Sequence, residues 1–326
     1  MSVNLPLPNG GTPAPSAASE FPGAYCRAMA DISDDELPHL DEFALLHENA
    51  EQVGVTEVPR AERIDAGPVS AVKFGDDAPR VVFLHGGGQN AHTWDTVVVG
   101  LGLPALAVDL PGHGRSAWRE DGDYGPKLNA VAVEPMVRDL ASDADLVVGM
   151  SLGGLTALRL AVTAPELVRR LVLVDVTPSA PERHTEMTDA QKGTVALVQG
   201  ERIFPSFEAM LEVTAAAAPH RDRKSLRRGV FHNAKRLDDG TWTWRYDSIR
   251  TGEGFENLWD DVPRLTAPTT LIRGAHSFFV NDDDADAFAR TAPGFQRVHI
   301  VENSGHSVQS DQPLALIELL RGVLAD

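Results

Sequence analysis

The stretch Val147-Val148-Gly149-Met150-Ser151-Leu152-Gly153-Gly154 decides how the rest of this chain is interpreted. The apolar run that ends at Val148 has the composition of a buried strand, and a helix-forming run over residues 155–164 follows the glycines. A serine between a strand and a helix, with glycines on both sides, is typical of a nucleophile elbow, because glycine permits the tight turn. We therefore predict that Ser151 projects from the edge of a sheet beside the N-terminus of the next helix.

A plain loop serine is the alternative interpretation of this pentapeptide. A Gly-x-Ser-x-Gly match by itself is weak evidence, since both residue types are common in surface loops. The strand before the motif and the helix after it favour the nucleophile, because a surface loop needs neither.

Composition restricts the class of protein. A chain of 326 residues can form one large α/β domain with an insertion, or two small domains. The net charge of −18 disfavours binding to nucleic acid or to anionic membranes. The single cysteine, Cys26, excludes an intrachain disulfide and a cysteine-based metal site, and it fits a reducing compartment. No apolar run has the length of a membrane span, and residues 1–19 do not resemble a signal peptide, so we expect a cytoplasmic protein with a small-molecule substrate.

Strands and helices alternate along most of the chain, which predicts an α/β fold with a mostly parallel sheet. We expect an antiparallel pair of strands first, and then parallel strands with helices between them. The predicted strands cover residues 56–64, 69–74, 80–84, 105–108, 145–148, 170–174, 269–273 and 297–301, and the predicted helices cover residues 91–100, 125–142, 155–164, 284–291 and 312–324. Asp311 is expected to cap the last of these helices.

Two segments fall outside this alternation. Residues 1–24 are rich in Pro, Gly, Ala and Ser, which indicates a loosely docked arm, and residues 34–53 suggest one or two short helices. We interpret both as a stabilising appendage, with a cover over the site as the alternative. Residues 178–262 contain short helical runs and an alternating aromatic stretch, which we interpret as an inserted helical cap. The predicted organisation is an N-terminal arm with short helices (1–56), a core (57–177 and 263–326) and the cap (178–262).

A serine nucleophile needs a base within hydrogen-bond reach. Among the eleven histidines, His306 is the best placed, because it follows the last predicted strand in a short loop that contains glycine. That position brings it to the same edge of the sheet as Ser151. His85 and His113 also follow strands, but each lies among glycines close to a turn, so we expect structural roles for them.

Four motifs then occur in a fixed order along the chain. They are His85-Gly86-Gly87-Gly88, Asp109-Leu110-Pro111-Gly112-His113-Gly114-Arg115-Ser116, the elbow around Ser151, and Ser304-Gly305-His306. On these motifs, residues 57–326 resemble the α/β-hydrolase fold family, in which the serine also precedes the histidine. The resemblance implies an eight-stranded sheet with only its early strands antiparallel, a cap after the sixth strand, and no cofactor or metal.

The resemblance also implies an oxyanion hole made by backbone N–H groups. These would belong to Leu152 and Gly87, with Gly88 as a near alternative. Such donors must be fixed in advance where negative charge develops, and glycine lets the backbone come close to the substrate carbonyl. A glycine-rich turn that binds no ligand is the alternative for this loop.

The third member of the catalytic triad departs from the commonest pattern of the family. Many members carry an Asp in a Gly-x-x-Asp-like turn after the seventh strand, where this chain has Gly274-Ala275-His276-Ser277. The other position known in the family is the end of the sixth strand, and Asp175 occupies it. We therefore assign Asp175 as the acid that orients His306, with a simple turn residue as its alternative role, and we expect His276 beside the triad as a polar wall residue. The competing carboxylates look more like a helix start and are Asp282, Asp283 and Asp284.

The sequence thus predicts a cofactor-free serine hydrolase that cleaves a small to medium, mostly apolar carboxylic ester, lactone or thioester. Carbon–carbon bond hydrolysis of a diketone by the same triad is one alternative, and a non-catalytic ligand-binding protein is another. The oligomeric state is left open. Residues expected to line the substrate pocket, with core or cap packing as their alternative, are Gly88, Gln89, Trp94, Met150, Trp242 and Trp244.

Overall fold

The predicted core strands form one eight-stranded sheet. The computed structural model describes residues 32–33, 35–248 and 257–326, so the predicted arm over residues 1–24 and Cys26 lie outside the described residues. Within that part of the chain the strands are β1 (Ala61–Ala66), β2 (Val69–Phe74), β3 (Val81–Leu84), β4 (Ala105–Asp109), β5 (Leu146–Met150), β6 (Leu171–Val174), β7 (Ile203–Phe204), β8 (Ala234–Arg236), β9 (Trp242–Trp244), β10 (Thr269–Gly274) and β11 (Phe295–Val301).

The strand order of the large sheet is β1-β2-β4-β3-β5-β6-β10-β11. Strand β2 runs antiparallel to both of its neighbours, and the pairs from β4 to β11 are parallel. The middle strands are buried along their whole length, as expected for a parallel sheet that is covered on both faces. Because they are parallel, β5, β6, β10 and β11 all end at one edge, and this edge carries the candidate site.

Helices cover both faces of the sheet. The helices of the described residues are α1 (Leu46–Val53), α2 (Asp95–Leu101), α3 (Pro126–Ala141), α4 (Leu152–Thr163), α5 (Ala180–Glu186), α6 (Asp189–Lys192), α7 (Phe207–Ala217), α8 (Arg223–Asn233), α9 (Asp282–Thr291), α10 (Val308–Asp311) and α11 (Pro313–Ala325). One apolar cluster packs α3, α4 and α9 against the first face, and a second cluster packs α1, α2 and α11 against the other. The α/β-hydrolase architecture expected from the motifs is therefore present.

Two local predictions are wrong, those for the start of β1 and for Asp311, and a third, the first helix, differs in its first turn. Strand β1 begins at Ala61, five residues later than expected. The helix predicted over residues 91–100 is a 3₁₀ turn, Ala91–Trp94, followed by α2. Asp311 does not cap α11, because its carboxylate accepts the backbone N–H of Gly305 at 2.9 Å and pairs with Arg221. A buried aspartate with these partners has no freedom to turn toward the helix.

The inserted segment is not purely helical, which corrects the prediction of a helical cap. It contains a small antiparallel sheet with the order β7-β9-β8, and one of its helical runs is α6 followed by a 3₁₀ segment, Gly193–Gln199. The alternation of Trp242 and Trp244 marks strand β9, since both indoles are buried while the residue between them is only half-buried.

The segment before the large sheet packs on this inserted region. Leu37 and Leu45 join the apolar cluster that Phe207 and Trp242 form in the cap. None of the helices in the described part of the chain has the length and apolar character needed to cross a bilayer.

The elbow is packed so closely that it excludes side chains at its glycines. A Cβ at Gly153 would lie 2.3 Å from the carbonyl oxygen of Leu84, which is backbone of β3 and has little freedom to move. Helix α4 can thus approach β3 only because residue 153 lacks a side chain.

We expect Gly153→Ala to lower the free energy of unfolding by about 1–3 kcal/mol, because the methyl group forces α4 away from β3. Guanidinium titration followed by circular dichroism measures this change. Gly322→Ala is the matched control, since this residue lies inside α11 with open space around it and the substitution should stabilise the helix by about 0.5–1 kcal/mol. Equal stability of the two variants would contradict the close approach.

Candidate active site

Ser151 lies on a strained turn between β5 and α4. Its backbone is left-handed, with φ 50° and ψ −120°, which side-chain-bearing residues rarely adopt. Two further close approaches enforce the turn: a Cβ at Gly149 would lie 2.4 Å from the carbonyl oxygen of Gly153, and one at Gly86 would lie 2.5 Å from the sulfur of Met150. Ser151 is half-buried and lines a cavity.

His306 and Asp175 form a buried pair at the same edge of the sheet. The distance from Nδ1 of His306 to Oδ2 of Asp175 is 2.7 Å, and the carboxylate is fully buried. With Nδ1 bound to the carboxylate, Nε2 is the free ring nitrogen, and it has no hydrogen-bond partner among the described residues. His306 lines the same cavity as Ser151, so Nε2 can accept a proton there.

Asp175 also ends its strand with a left-handed backbone, at φ 54°. Its carboxylate accepts the N–H of Gly274 at 3.0 Å and the hydroxyl of Ser277, in addition to the imidazole. Ser277 stands where many family members carry the acid, so its hydroxyl binds the carboxylate that comes instead from the neighbouring strand. The serine in the Gly-x-x-Ser turn is the sequence signal from which this contact could have been predicted.

Phe279 is a further site residue, and it is absent from the residues predicted from the sequence. Its ring stacks on the imidazole of His306, with the centroids 3.7 Å apart and an interplanar angle of 17°. Two residues earlier, Ser277 accepts the N–H of Phe279 at 3.1 Å, which fixes the start of this turn. The prediction for His276 is wrong: it is exposed and is not among the cavity-lining residues, because the turn points it to solvent.

The glycine loop after β3 is held by side chains. Oε1 of Gln89 accepts the N–H of Gly86 at 3.1 Å, and Nε2 of His113 accepts the N–H of Gly88 at 3.1 Å. The N–H of Gly88 is therefore already used, and the alternative that it binds the oxyanion is not supported. The N–H groups of Gly87 and Leu152 have no acceptor among the described residues. Leu152 is the first residue of α4, and the first N–H of a helix has no acceptor within its own helix.

His85 and His113 support this loop as neutral imidazoles. Burial lowers the pKa of His85 to about 4 and that of His113 to about 3. Nε2 of His85 accepts the N–H of Leu110 at 2.9 Å, as Nε2 of His113 accepts that of Gly88. Both histidines thus have the structural roles that their glycine-rich surroundings indicated.

The cavity above Ser151 has a volume of about 380 Å³. Gly88, Gln89, Met150 and Trp244 line it, as predicted from the sequence. The other two tryptophans have the packing roles that were their alternative: Trp94 packs against the sheet beside Phe83, and Trp242 packs inside the cap against Phe207. Both indoles pack against aromatic rings from other segments, and their positions in the sequence do not show these contacts.

A charged cluster lies beside the cavity. The ring of His92 is held between Oδ2 of Asp95, at 2.9 Å from Nδ1, and Oε1 of Glu42, at 3.0 Å from Nε2. Burial alone would lower the pKa of His92, but these two carboxylates raise it to about 9. Burial and the neighbouring His92 lower the pKa of His232, which stacks on His92 with ring centroids 3.8 Å apart.

His92, Asp95 and His232 bring three metal-ligating atoms within 4.8 Å of one another. The chemistry of this donor set does not suit a metal ion. Both ring nitrogens of His92 already bind carboxylates, and the guanidinium of Arg63 lies 3.3 Å from its Nε2. The two carboxylates favour the protonated form of His92, which cannot bind a metal ion.

Comparison with known proteins identifies the family and supports the fold. Residues 81–319 match the alpha/beta hydrolase family. Over 294 residues the chain is 68% identical to an esterase of Mycobacterium tuberculosis, an alignment that covers 90% of this chain and 99% of the relative. A solved structure of the M. tuberculosis esterase has a TM-score of 0.82 at 67% identity and covers 88% of this chain and 99% of its own. E-2-(acetamidomethylene)succinate hydrolase, with a TM-score of 0.70 at 22% identity over 82% of this chain and all of its own, shares the fold.

The raised pKa of His92 predicts how stability depends on pH. The folded protein favours protonated His92, so this contribution to the free energy of unfolding is complete below about pH 6.5 and is lost as the pH rises through about 9. Glu42→Gln removes one of the two carboxylates and should reduce the decline over that range, measured by urea titration at several pH values. Glu57→Gln, at an exposed residue, is the control. The same decline in both variants would contradict the role of Glu42.

Proposed function

The chain belongs to the alpha/beta hydrolase family, and we propose that it hydrolyses carboxylic esters through an acyl-serine intermediate on Ser151. The relative with 68% identity is named an esterase. The observation that carries the proposal is the 2.7 Å bond between Asp175 and His306, which leaves the free Nε2 on the cavity that Ser151 also lines.

In the first half of the proposed reaction, the hydroxyl oxygen of Ser151 attacks the ester carbonyl carbon. Its proton passes to Nε2 of His306, and the carbonyl oxygen takes the negative charge. The N–H groups of Gly87 and Leu152 bind this oxyanion, and each such donor stabilises the transition state by about 2.7–4 kcal/mol. The bond to the alkoxy oxygen then breaks, and the alcohol leaves with the proton from His306.

In the second half, a water molecule attacks the acyl-serine carbonyl and gives a proton to Nε2 of His306. The second tetrahedral intermediate collapses, Ser151 recovers its proton from His306, and the carboxylic acid is released. Asp175 accepts Nδ1–H throughout, which keeps Nε2 turned toward the serine and stabilises the imidazolium. Phe279 holds the plane of the ring by stacking.

The cavity supports a small to medium ester as substrate. Its volume of about 380 Å³ lies near the lower end of ordinary ligand pockets. Apolar side chains of the cap, including Val198, Leu226 and Trp244, form part of its wall. Carbon–carbon bond hydrolysis would use the same groups, and the esterase relative favours the ester reaction over it.

We propose the cytoplasm as the compartment, on the basis of the single cysteine.

We expect Ser151→Ala to lower kcat/KM for p-nitrophenyl butyrate by at least about 10⁴-fold, because no covalent intermediate can form. A fluorophosphonate should label the unaltered protein and not this variant, as mass spectrometry of the intact chain measures. Ser142→Ala changes an exposed serine and should preserve both activity and labelling. If the unaltered protein showed no turnover and no labelling, the proposed ester hydrolysis would be contradicted.

We expect Asp175→Asn to lower kcat by about 10⁴-fold, because an amide no longer holds Nδ1–H of His306 and the imidazolium loses its carboxylate. Asp283→Asn is the matched control at an exposed residue of α9 and should have little effect. Stopped-flow assays with circular dichroism spectra separate lost chemistry from lost folding. A large loss of kcat in Asp283→Asn with none in Asp175→Asn would exclude Asp175 as the acid, and it would leave the proposed ester hydrolysis unaffected.

A further inference from the structure

A second cavity, of about 330 Å³, lies where the small sheet of the cap meets the turn after β4. Asn90, His92 and His232 line both this cavity and the cavity above Ser151, so they form a partition between the two. The rings of His92 and His232 stack, and Nδ2 of Asn90 donates to the carbonyl oxygen of His232 at 3.0 Å, which holds the partition together. Ser151 and His306 do not line the second cavity, so the proposed reaction makes no use of it.

The wall of the second cavity carries more cations than carboxylates. Its cations are Arg63, Arg115, Lys235, Arg236 and Arg245, and its carboxylates are Glu42 and Asp109. The chain as a whole has a net charge of −18, so this local excess is opposite in sign to the average charge of the protein. Such a concave excess of one charge attracts a ligand of the opposite charge.

The two carboxylates are already shared by part of the wall. Nη1 of Arg63 lies 2.8 Å from Oδ2 of Asp109, and Nη2 of Arg63 pairs with Glu42. Nη2 of Arg115 lies 3.0 Å from Oε2 of Glu42, and Nε2 of His92 lies 3.0 Å from its Oε1. Both carboxylates therefore have their cations within this group.

The remaining cations of the wall receive no carboxylate from it. Arg236 pairs with Asp35, an exposed residue that does not line the cavity. Lys235 is exposed and has no ion pair among the described residues. Arg245 is half-buried, and within the described part of the chain its side chain makes one hydrogen bond, from Nε to the carbonyl oxygen of Ala234 at 2.7 Å.

The terminal nitrogens of Arg245 are therefore free to donate into the cavity. Neither of them belongs to the enclosed, unpartnered atoms of the described residues, so a ligand can reach them. A guanidinium carries only donors, so the free groups on Arg245 do not depend on how the side chain is oriented. What this part of the wall lacks is an acceptor with negative charge.

Arg245 also lies beside another cation. Tyr246 forms a bridge with His113, and the N–H of Asp247 donates to the carbonyl oxygen of Gly112 at 2.8 Å, which brings this segment alongside the turn that carries Arg115. Burial and the nearby charge of Arg115 lower the pKa of Arg245. An arginine remains charged at neutral pH, so an anion between the two guanidiniums would relieve their repulsion.

The size of the charge excess favours a phosphate group over a carboxylate. A phosphate monoester carries about −1.5 to −2 charges at pH 7 and three strong acceptor oxygens, whereas a carboxylate carries a single charge and two oxygens. Arginine binds phosphate with two parallel N–H donors, and lysine binds it as a point charge. The half-buried side chains of Leu40 and Phe231 also line the cavity, so the rest of the ligand can be apolar.

We propose that the second cavity binds the phosphate group of a small phosphate monoester through Arg245, Arg115 and Lys235. Arg245 and Lys235 supply the charges that no carboxylate of the wall pairs, and Arg115 closes the site from the turn after β4. This inference goes beyond the proposed ester hydrolysis and does not depend on it.

Titration calorimetry with phenyl phosphate and with benzoate tests the class of ligand, because the two share a ring and differ in the anionic group. We expect phenyl phosphate to bind the unaltered protein about tenfold more tightly than benzoate. Its affinity should fall as NaCl is raised from about 0.05 to about 0.3 M, since salt screens the attraction. No binding of phenyl phosphate up to about 10 mM, or equally tight binding of benzoate, would overturn the proposal.

A variant of Arg245 attributes the binding to the second cavity. Arg245→Met removes the charge and keeps a side chain of similar length, and it should weaken the binding of phenyl phosphate by about tenfold or more. Arg170→Met is the matched control, because Arg170 is a half-buried arginine that directly precedes β6 and lines neither cavity. Equal affinity of the unaltered protein and Arg245→Met would overturn the assignment.

Two further variants keep the test decisive. Lys235→Gln changes an exposed residue, so it provides the answer if circular dichroism shows that Arg245→Met does not fold. It should weaken the binding of phenyl phosphate by about threefold, and an unchanged affinity would overturn the proposed contact. Ser151→Ala should bind phenyl phosphate as tightly as the unaltered protein, whether or not ester hydrolysis is observed. Weaker binding there would place the ligand beside Ser151 and overturn the second cavity as its site.

Discussion

The left-handed backbone of Ser151 is the constraint on which the rest of the site depends. It brings the hydroxyl to the cavity and turns α4 so that its first N–H groups face the same space. The turn exists only because Gly149 and Gly153 allow backbone atoms to approach within distances that no side chain tolerates. The strain at one residue is therefore maintained by close packing of β5, α4 and the end of β3.

The other groups of the proposed active site are brought together by the order of the strands, although they lie far apart in the sequence. Strands β5, β6, β10 and β11 are neighbours, and the chain that leaves their carboxyl ends supplies Ser151, Asp175, Ser277 and His306 in turn. Parallel strands bring all of these ends to one edge, so residues far apart in the chain share one cavity. Asp175 follows β6, and Ser277, which follows β10, donates a hydrogen bond to its carboxylate.

The sequence predicted what local pattern and sheet topology determine. The elbow and the strand order follow from apolar runs and glycines, and they bring Ser151, Asp175 and His306 to one edge of the sheet. The errors concern side chains whose partners come from distant segments. His276 and Asp311 were assigned by position, but a turn exposes the first and Gly305 and Arg221 engage the second. Trp94 and Trp242 pack against distant rings, and no periodicity shows such contacts.

The cavity has two kinds of wall because it lies between two kinds of structure. The cap packs by apolar contacts and supplies apolar side chains, whereas α1, α2 and α10 are tied together by amides, hydroxyls and the charged cluster around His92. The segment before β1 is more than an appendage, since Asn49 of α1 lines the cavity and Leu37 and Leu45 pack in the cap. A change in this segment therefore affects the cavity in two ways, directly at Asn49 and through the packing of the cap on Leu37 and Leu45.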